Sequence, residues 1–130
     1  MKNSIKAIQP IMLFAATIIV GMASTTGAAQ TAEPTYKADP DVYKVVFEDA
    51  NYRVIEANRK KGVRDKGHGH PVASVVYYVT DCKTKTYAAA GKTTETAYKA
   101  GTVRANPVIA SHSAENTGTT DCKTIFVEKK

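Results

Sequence analysis

The sequence predicts an all-β domain, a sandwich or barrel of short strands, on three observations. Runs rich in Val, Tyr, Thr and Ile recur at spacings of about ten residues. Clusters of turn-forming residues separate them. No segment after Gly27 carries a helical stripe long enough to stand as a helix.

The runs are YKVVF (43–47), YRVIEA (52–57), SVVYYV (74–79), KTYAAA (85–90), TTETAY (93–98) and TIFVEK (124–129), with DAN, KKG, GK, KAG and TGTTD between them. SHSAEN, just after NPVIA, adds another short strand around His112. Many short strands at even spacing define a sandwich or barrel, and closure protects the open edges of so small a sheet.

The first 29 residues read as an export signal. Lys2 and Lys6 give a basic start, an apolar run follows from Ile11 to Met22, and small residues close it at GAAQ, which places cleavage near Ala29. The run is shorter than the ~20 apolar residues that a membrane span needs, so no stable membrane insertion is expected after cleavage. Residues 30–41, QTAEPTYKADPD, are polar with two prolines and read as a linker or N-terminal arm, and 42–130 as a single domain. The expected location is periplasmic or secreted.

The chain has a formal charge of +6, and two of its eighteen Lys and Arg but none of its twelve acids precede residue 30, so the mature charge is +4. The densest basic cluster, RKKGVRDK at 59–66, has neither an aromatic platform nor a recognised motif beside it. It reads as a solvated turn between strands, and no nucleic-acid partner is expected.

Both cysteines lie in the pentapeptide TDCKT, at 80–84 and 120–124, where they read as turn chemistry. An even count in an exported chain predicts a Cys82–Cys122 disulfide, with two free thiols as the alternative.

There are three histidines, His68, His70 and His112. On a strand, side chains two apart share a face, so His68 and His70 project together with Cα atoms about 7 Å apart. Such a pair can converge on one ion, and an antiparallel neighbour can bring His112 beside it. Three imidazoles leave open coordination positions, which suits an active metal more than a closed structural one. Glu115 falls on the opposite face from His112 and reads as solvent-facing. Tyr77, Tyr78, Tyr87 and Tyr98 read as barrel lining or surface, and Arg104 as a surface charge or as a group that orients an anionic substrate.

These residues resemble the motifs of the cupin superfamily, in its small single-domain, RmlC-like form. Gly62, then five residues, then His68 and His70 match the start of the first cupin motif, and Gly101, Pro107, His112 and Asn116 fall at the offsets of the second. The resemblance covers about residues 42–130 and implies a cupin-type jelly-roll β-barrel. It also implies that all three histidines are metal ligands. Where the family places a glutamate ligand this chain has Ser74 or Val75, where it places a glycine after the motif's proline this chain has Ile109, and no glycine follows the first motif near residue 82.

The implied site is therefore a three-histidine one, as in some cupin-type thiol and diketone dioxygenases. It would take a divalent transition metal (Fe, Zn, Mn, Ni or Cu) and a small-molecule ligand. Two functions follow from the resemblance: dioxygenase- or isomerase-type chemistry on a small molecule, or a non-catalytic barrel that binds a small ligand or a metal. Fold analogy leaves a homodimer open. Imidazole must be neutral to ligate, so metal loss is expected as pH falls through the acid range, about the reference value near 6.5.

Overall fold

Period-two burial along the strands sets the architecture. In Ser74–Tyr78 (β4), Ser74 and Val76 are buried while Val75 and Tyr77 are exposed, and in Tyr52–Arg59 (β2) Ile55, Ala57 and Arg59 are buried. Each strand therefore has an inner and an outer face, and two sheets must meet to cover the inner ones. The computed structural model describes residues 32–130, so the predicted export signal and its cleavage site lie outside the described residues.

The remaining strands are Tyr43–Glu48 (β1), His68–His70 (β3), Cys82–Ala88 (β5), Thr93–Tyr98 (β6), Val103–Asn106 (β7), Ile109–Asn116 (β8) and Cys122–Lys129 (β9). They form a five-stranded sheet in the order β1-β2-β9-β4-β7 and a four-stranded sheet in the order β3-β8-β5-β6. Every strand pairing is antiparallel. Two such sheets face to face, with consecutive strands often in different sheets, make an all-β jelly roll.

Glycines at two tight turns belong to the motifs read in the sequence. Gly62 (φ 74°) and Gly101 (φ 86°) occupy the left-handed region that a Cβ disfavours. Asn116 is fully buried and closes a loop: its Nδ2 donates to the carbonyls of Arg59 (3.0 Å) and Thr120 (2.8 Å), and its Oδ1 accepts from Gly118 N (3.0 Å). These motif residues shape turns; they do not face the cavity.

Residues 32–41 pack along one edge. Thr35–Ala38 (α1) forms a single turn of helix, Pro34 bridges Gly69, and Gly69 N donates to the carbonyl of Glu33 at 2.8 Å. A Cβ on Gly69 would stand 2.8 Å from the Ala32 carbonyl oxygen and 2.9 Å from that of Ala110. The residue between the two histidines is thus glycine because backbone crowds it from two directions.

One apolar cluster gathers Val42, Tyr43, Ile55 and Ala57, with Tyr36 and Phe126 packed against it, and Val76, Ala114, Cys82 and Cys122 are buried besides. Several large apolar side chains (Phe47, Val75, Tyr77, Val103) instead lie on the outer face of the five-stranded sheet. That explains why SVVYYV is apolar at every second position as well as at the positions between.

The TDCKT repeats differ from their reading as turns. Cys82 and Cys122 open β5 and β9, are buried, and form a disulfide with Cα atoms 4.9 Å apart. The bond joins the two sheets and closes a 40-residue separation. Strand β7 was not among the sequence-predicted runs, because VRAN is short and has only one β-branched residue. Replacing both cysteines with alanine should lower stability by about 3 to 4 kcal/mol through the lost restriction of the unfolded chain. Urea unfolding checks this; an unchanged midpoint would show that the bond contributes nothing.

Candidate metal centre

Strand pairing brings the histidines together. In the β3–β8 ladder His68 lies opposite His112, and a bulge before His70 places that residue opposite Ile109. His68 and His70, two apart on β3, point the same way between the sheets, and His112 joins them from β8. Ring centroids are 5.3 Å apart for His68–His70, 4.6 Å for His68–His112 and 5.0 Å for His70–His112. One ring nitrogen from each lies within 4.8 Å of the others.

The nitrogens are arranged for a cation. His68 Nδ1 lies 2.8 Å from the Lys66 carbonyl, which fixes the proton on that nitrogen and leaves the lone pair on Nε2. That Nε2 is buried and has no hydrogen-bond partner. The Nε2 atoms of His70 and His112 stand 3.0 Å apart. Two nitrogens bound to one ion at ~2.0–2.1 Å lie at most about 4.2 Å apart, so small ring rotations bring all three into range. Buried imidazole nitrogens without partners are costly, and an ion among the rings removes that cost at His68 Nε2. The donor set therefore fits a divalent transition metal held by three imidazoles.

All three histidines titrate below their ordinary range. Burial, then the neighbouring rings of His112 and His68, lowers His70 to about 3. Burial, then His68, lowers His112 to about 4. Burial also lowers His68, against the pull of the Asp65 carboxylate. His70 and His112 therefore stay neutral and ready to ligate well below 6.5, so protons displace a metal only at lower pH than the sequence suggested.

Behind His68 lies a buried charged cluster that the sequence did not reveal. Asp65 Oδ2 accepts hydrogen bonds from Tyr43 Oη (2.6 Å) and from Arg59 Nε (3.0 Å) and a terminal guanidinium nitrogen (2.7 Å). Its Oδ1 accepts from Ala114 N at 2.6 Å and lies 3.7 Å from His68 Nδ1. Arg59 and Asp65 of RKKGVRDK are thus buried, at 6% and 3% exposed, which corrects the reading of the stretch as a solvated turn; the residues between them and Lys66 are exposed. The loop folds inward because the two charges satisfy each other there. The one sequence signal was an acid three residues before His68, and only the fold supplies its partners.

The other candidates fall on both sides of the sheets. Tyr78, Tyr98, Arg104 and Ile109 line an inner cavity of about 200 Å³ together with His70 and His112. Ser74, at a position where the motif would carry glutamate, is buried and accepts a 3.4 Å hydrogen bond from Asn106. Ser74 offers no carboxylate to an ion. Glu115 lies away from His112 and accepts a hydrogen bond from Tyr87 Oη (2.5 Å), with Arg64 stacked 3.7 Å over that tyrosine. Tyr77 is exposed on the outer surface.

Known structures share this fold. A cupin domain from Bordetella pertussis Tohama I superposes with a TM-score of 0.63 at 19% identity, over 68% of this chain and 92% of that one. A conserved protein with a double-stranded β-helix domain from Klebsiella pneumoniae gives 0.54 at 18%, over 82% and 90%. A cupin-like protein from Thermotoga maritima gives 0.52 at 20%, over 66% and 65%. No family model and no curated protein matches the sequence. The class is therefore defined by fold and site: a cupin-type jelly roll whose three histidines form a group able to hold a metal ion.

Two outcomes follow. Asp65→Asn should cost about 3 to 5 kcal/mol, because it leaves Arg59 buried without its counter-ion; a loss below 1 kcal/mol in urea unfolding would show that the cluster is dispensable. In the metal-free protein the histidine contribution to stability is complete above 6.5, their unfolded value. It then declines as pH falls toward about 4 and 3, because the unfolded chain takes up protons that the folded chain refuses. Urea midpoints between pH 7 and 4 should fall less steeply for His112→Gln than for the parent, and equal slopes would refute the assignment.

Proposed function

We propose that this chain is an exported cupin-type protein that binds a divalent transition metal through His68, His70 and His112 and acts on a small molecule held beside it. The observation that carries this reading is that His70 and His112 line a half-open cavity of about 200 Å³ between the sheets. The ligand nitrogens are thus within reach of a guest. That volume is below the usual range for drug-sized ligands and suits a small molecule.

A bound metal of this kind would supply Lewis acidity or, for iron, copper, nickel or manganese, redox capacity. The chain itself contributes positioning. Lys66 O orients His68, Asp65 and Tyr43 hold that arrangement from behind, and Phe126 stacks on His70 with ring centroids 5.5 Å apart. Among the described residues no Asp or Glu lines the cavity. Proton-transfer chemistry of the isomerase type would have only tyrosine hydroxyls there as bases, so dioxygenase-type chemistry fits the lining better.

A second reading, a barrel that binds metal or a small ligand without turnover, is favoured by Ser74 standing where the motif would have a carboxylate ligand. Export is supported by the Cys82–Cys122 disulfide, a bond typical of oxidising compartments, and by the basic-apolar-small pattern of the first 29 residues. Among the described residues no helix is long and apolar enough to cross a membrane.

Elemental analysis of protein purified from its own compartment tests the metal. About one equivalent of a first-row ion is expected, lost from His112→Ala, and the intact mass of the same sample should correspond to a start near Gln30. Absence of any bound ion, with His112→Ala as stable as the parent, would overturn the metal reading. Dioxygen uptake driven by a small substrate would then separate catalysis from simple binding.

A further inference from the structure

We infer that the cavity selects a small organic anion, with the ligand's carboxylate held at Arg104. This deepens the proposed function, on which its catalytic meaning rests, but the binding claim stands on a separate set of residues.

The cavity runs between the sheets from His70 and His112 on β3 and β8 to β6 and β7, the edge strands on the other side. Arg104 of β7 and Tyr98 of β6 meet across that gap: the guanidinium stacks 4.5 Å from the Tyr98 ring centroid and donates a hydrogen bond to its hydroxyl. One contact therefore spans the two edges and fixes the planar guanidinium against a ring. The pose leaves other N–H groups of the fork free.

The electrostatics of the lining have one sign. Among the described residues two cations, Arg59 and Arg104, line the cavity, and no Asp or Glu does. The charge of Arg59 is answered by Asp65 at 2.7 Å. Arg104 makes no salt bridge among the described residues, so its charge is available to a guest. Thr84, Thr86, Thr96 and Thr124 also line the cavity, and a threonine hydroxyl is able to donate to further anion oxygens. The preference for an anion comes from Arg104 and from the absence of acids among the described lining residues. A guanidinium binds a carboxylate through two parallel hydrogen bonds, which gives orientation as well as affinity.

The sequence left Arg104 between two roles, a surface charge and an orienting group. It is exposed on its edge strand, yet its side chain lines the cavity. Its outward neighbours on β7, Val103 and Ala105, belong to the other face.

Calorimetric titration of the mature protein with malonate and with its neutral diamide, malonamide, tests the inference. Malonate should bind at least tenfold more tightly than malonamide. Arg104→Gln should weaken malonate at least tenfold, leave malonamide unchanged and leave metal content unchanged. Arg104→Lys, which keeps the charge but not the planar fork, should retain part of the preference. Equal affinity for the two probes, no malonate binding, or full malonate affinity in a folded Arg104→Gln protein would each overturn it. Metal content measured on the same samples separates this outcome from the metal reading: a metal-free protein that still prefers malonate through Arg104 would remove the proposed metal centre and leave the anion site standing.

Discussion

The carboxylate of Asp65 is the constraint on which the site depends. It accepts from Tyr43 on β1, Arg59 at the end of β2 and the backbone of Ala114 on β8, so one side chain ties the five-stranded sheet to the four-stranded one. A buried carboxylate is tolerated only when its lone pairs are filled, and here four donors fill them. Because Asp65 lies three residues before His68, fixing its position also fixes where β3 begins. The edge of Tyr43, with its ring centroid 5.1 Å from that of His68, completes the support.

The disulfide is a second bond between the same two sheets, at Cys82 and Cys122. With these two ties in place the barrel does not need a large apolar core: among the described residues eight apolar side chains are buried, two of them the bridged cysteines. The space between the sheets is free to be polar, lined by threonines, tyrosines and an asparagine as well as histidines. A chain of this size would ordinarily fill that space with Leu and Ile for stability. Here Phe47, Val75 and Val103 sit on the outer sheet face.

The histidines make the same point about cost. Burial of three imidazoles destabilises their charged forms and leaves two ring nitrogens without partners. Such a cluster works against folding unless something occupies it. Local rules that a sequence obeys elsewhere are broken at one place, and that place is where the cavity ends.

Much of this was legible in the amino-acid order. Short runs rich in Val, Tyr, Thr and Ile at spacings of about ten, parted by turn-forming residues, pointed to the fold class, because β-branched and aromatic residues suit the pleated surface of a strand. The spacings Gly62–His68–His70 and Gly101–Pro107–His112–Asn116 pointed to the three imidazoles, and two cysteines in an exported pattern pointed to one bond. Tertiary structure alone decided that Arg59 and Asp65 turn inward, that Cys82 and Cys122 open strands, and that Arg104 lines the cavity. Whether a charge faces water or a partner depends on groups far away along the chain. Asp65 needs Ala114, 49 residues on, before burial becomes cheaper than hydration, and no local pattern records such a meeting.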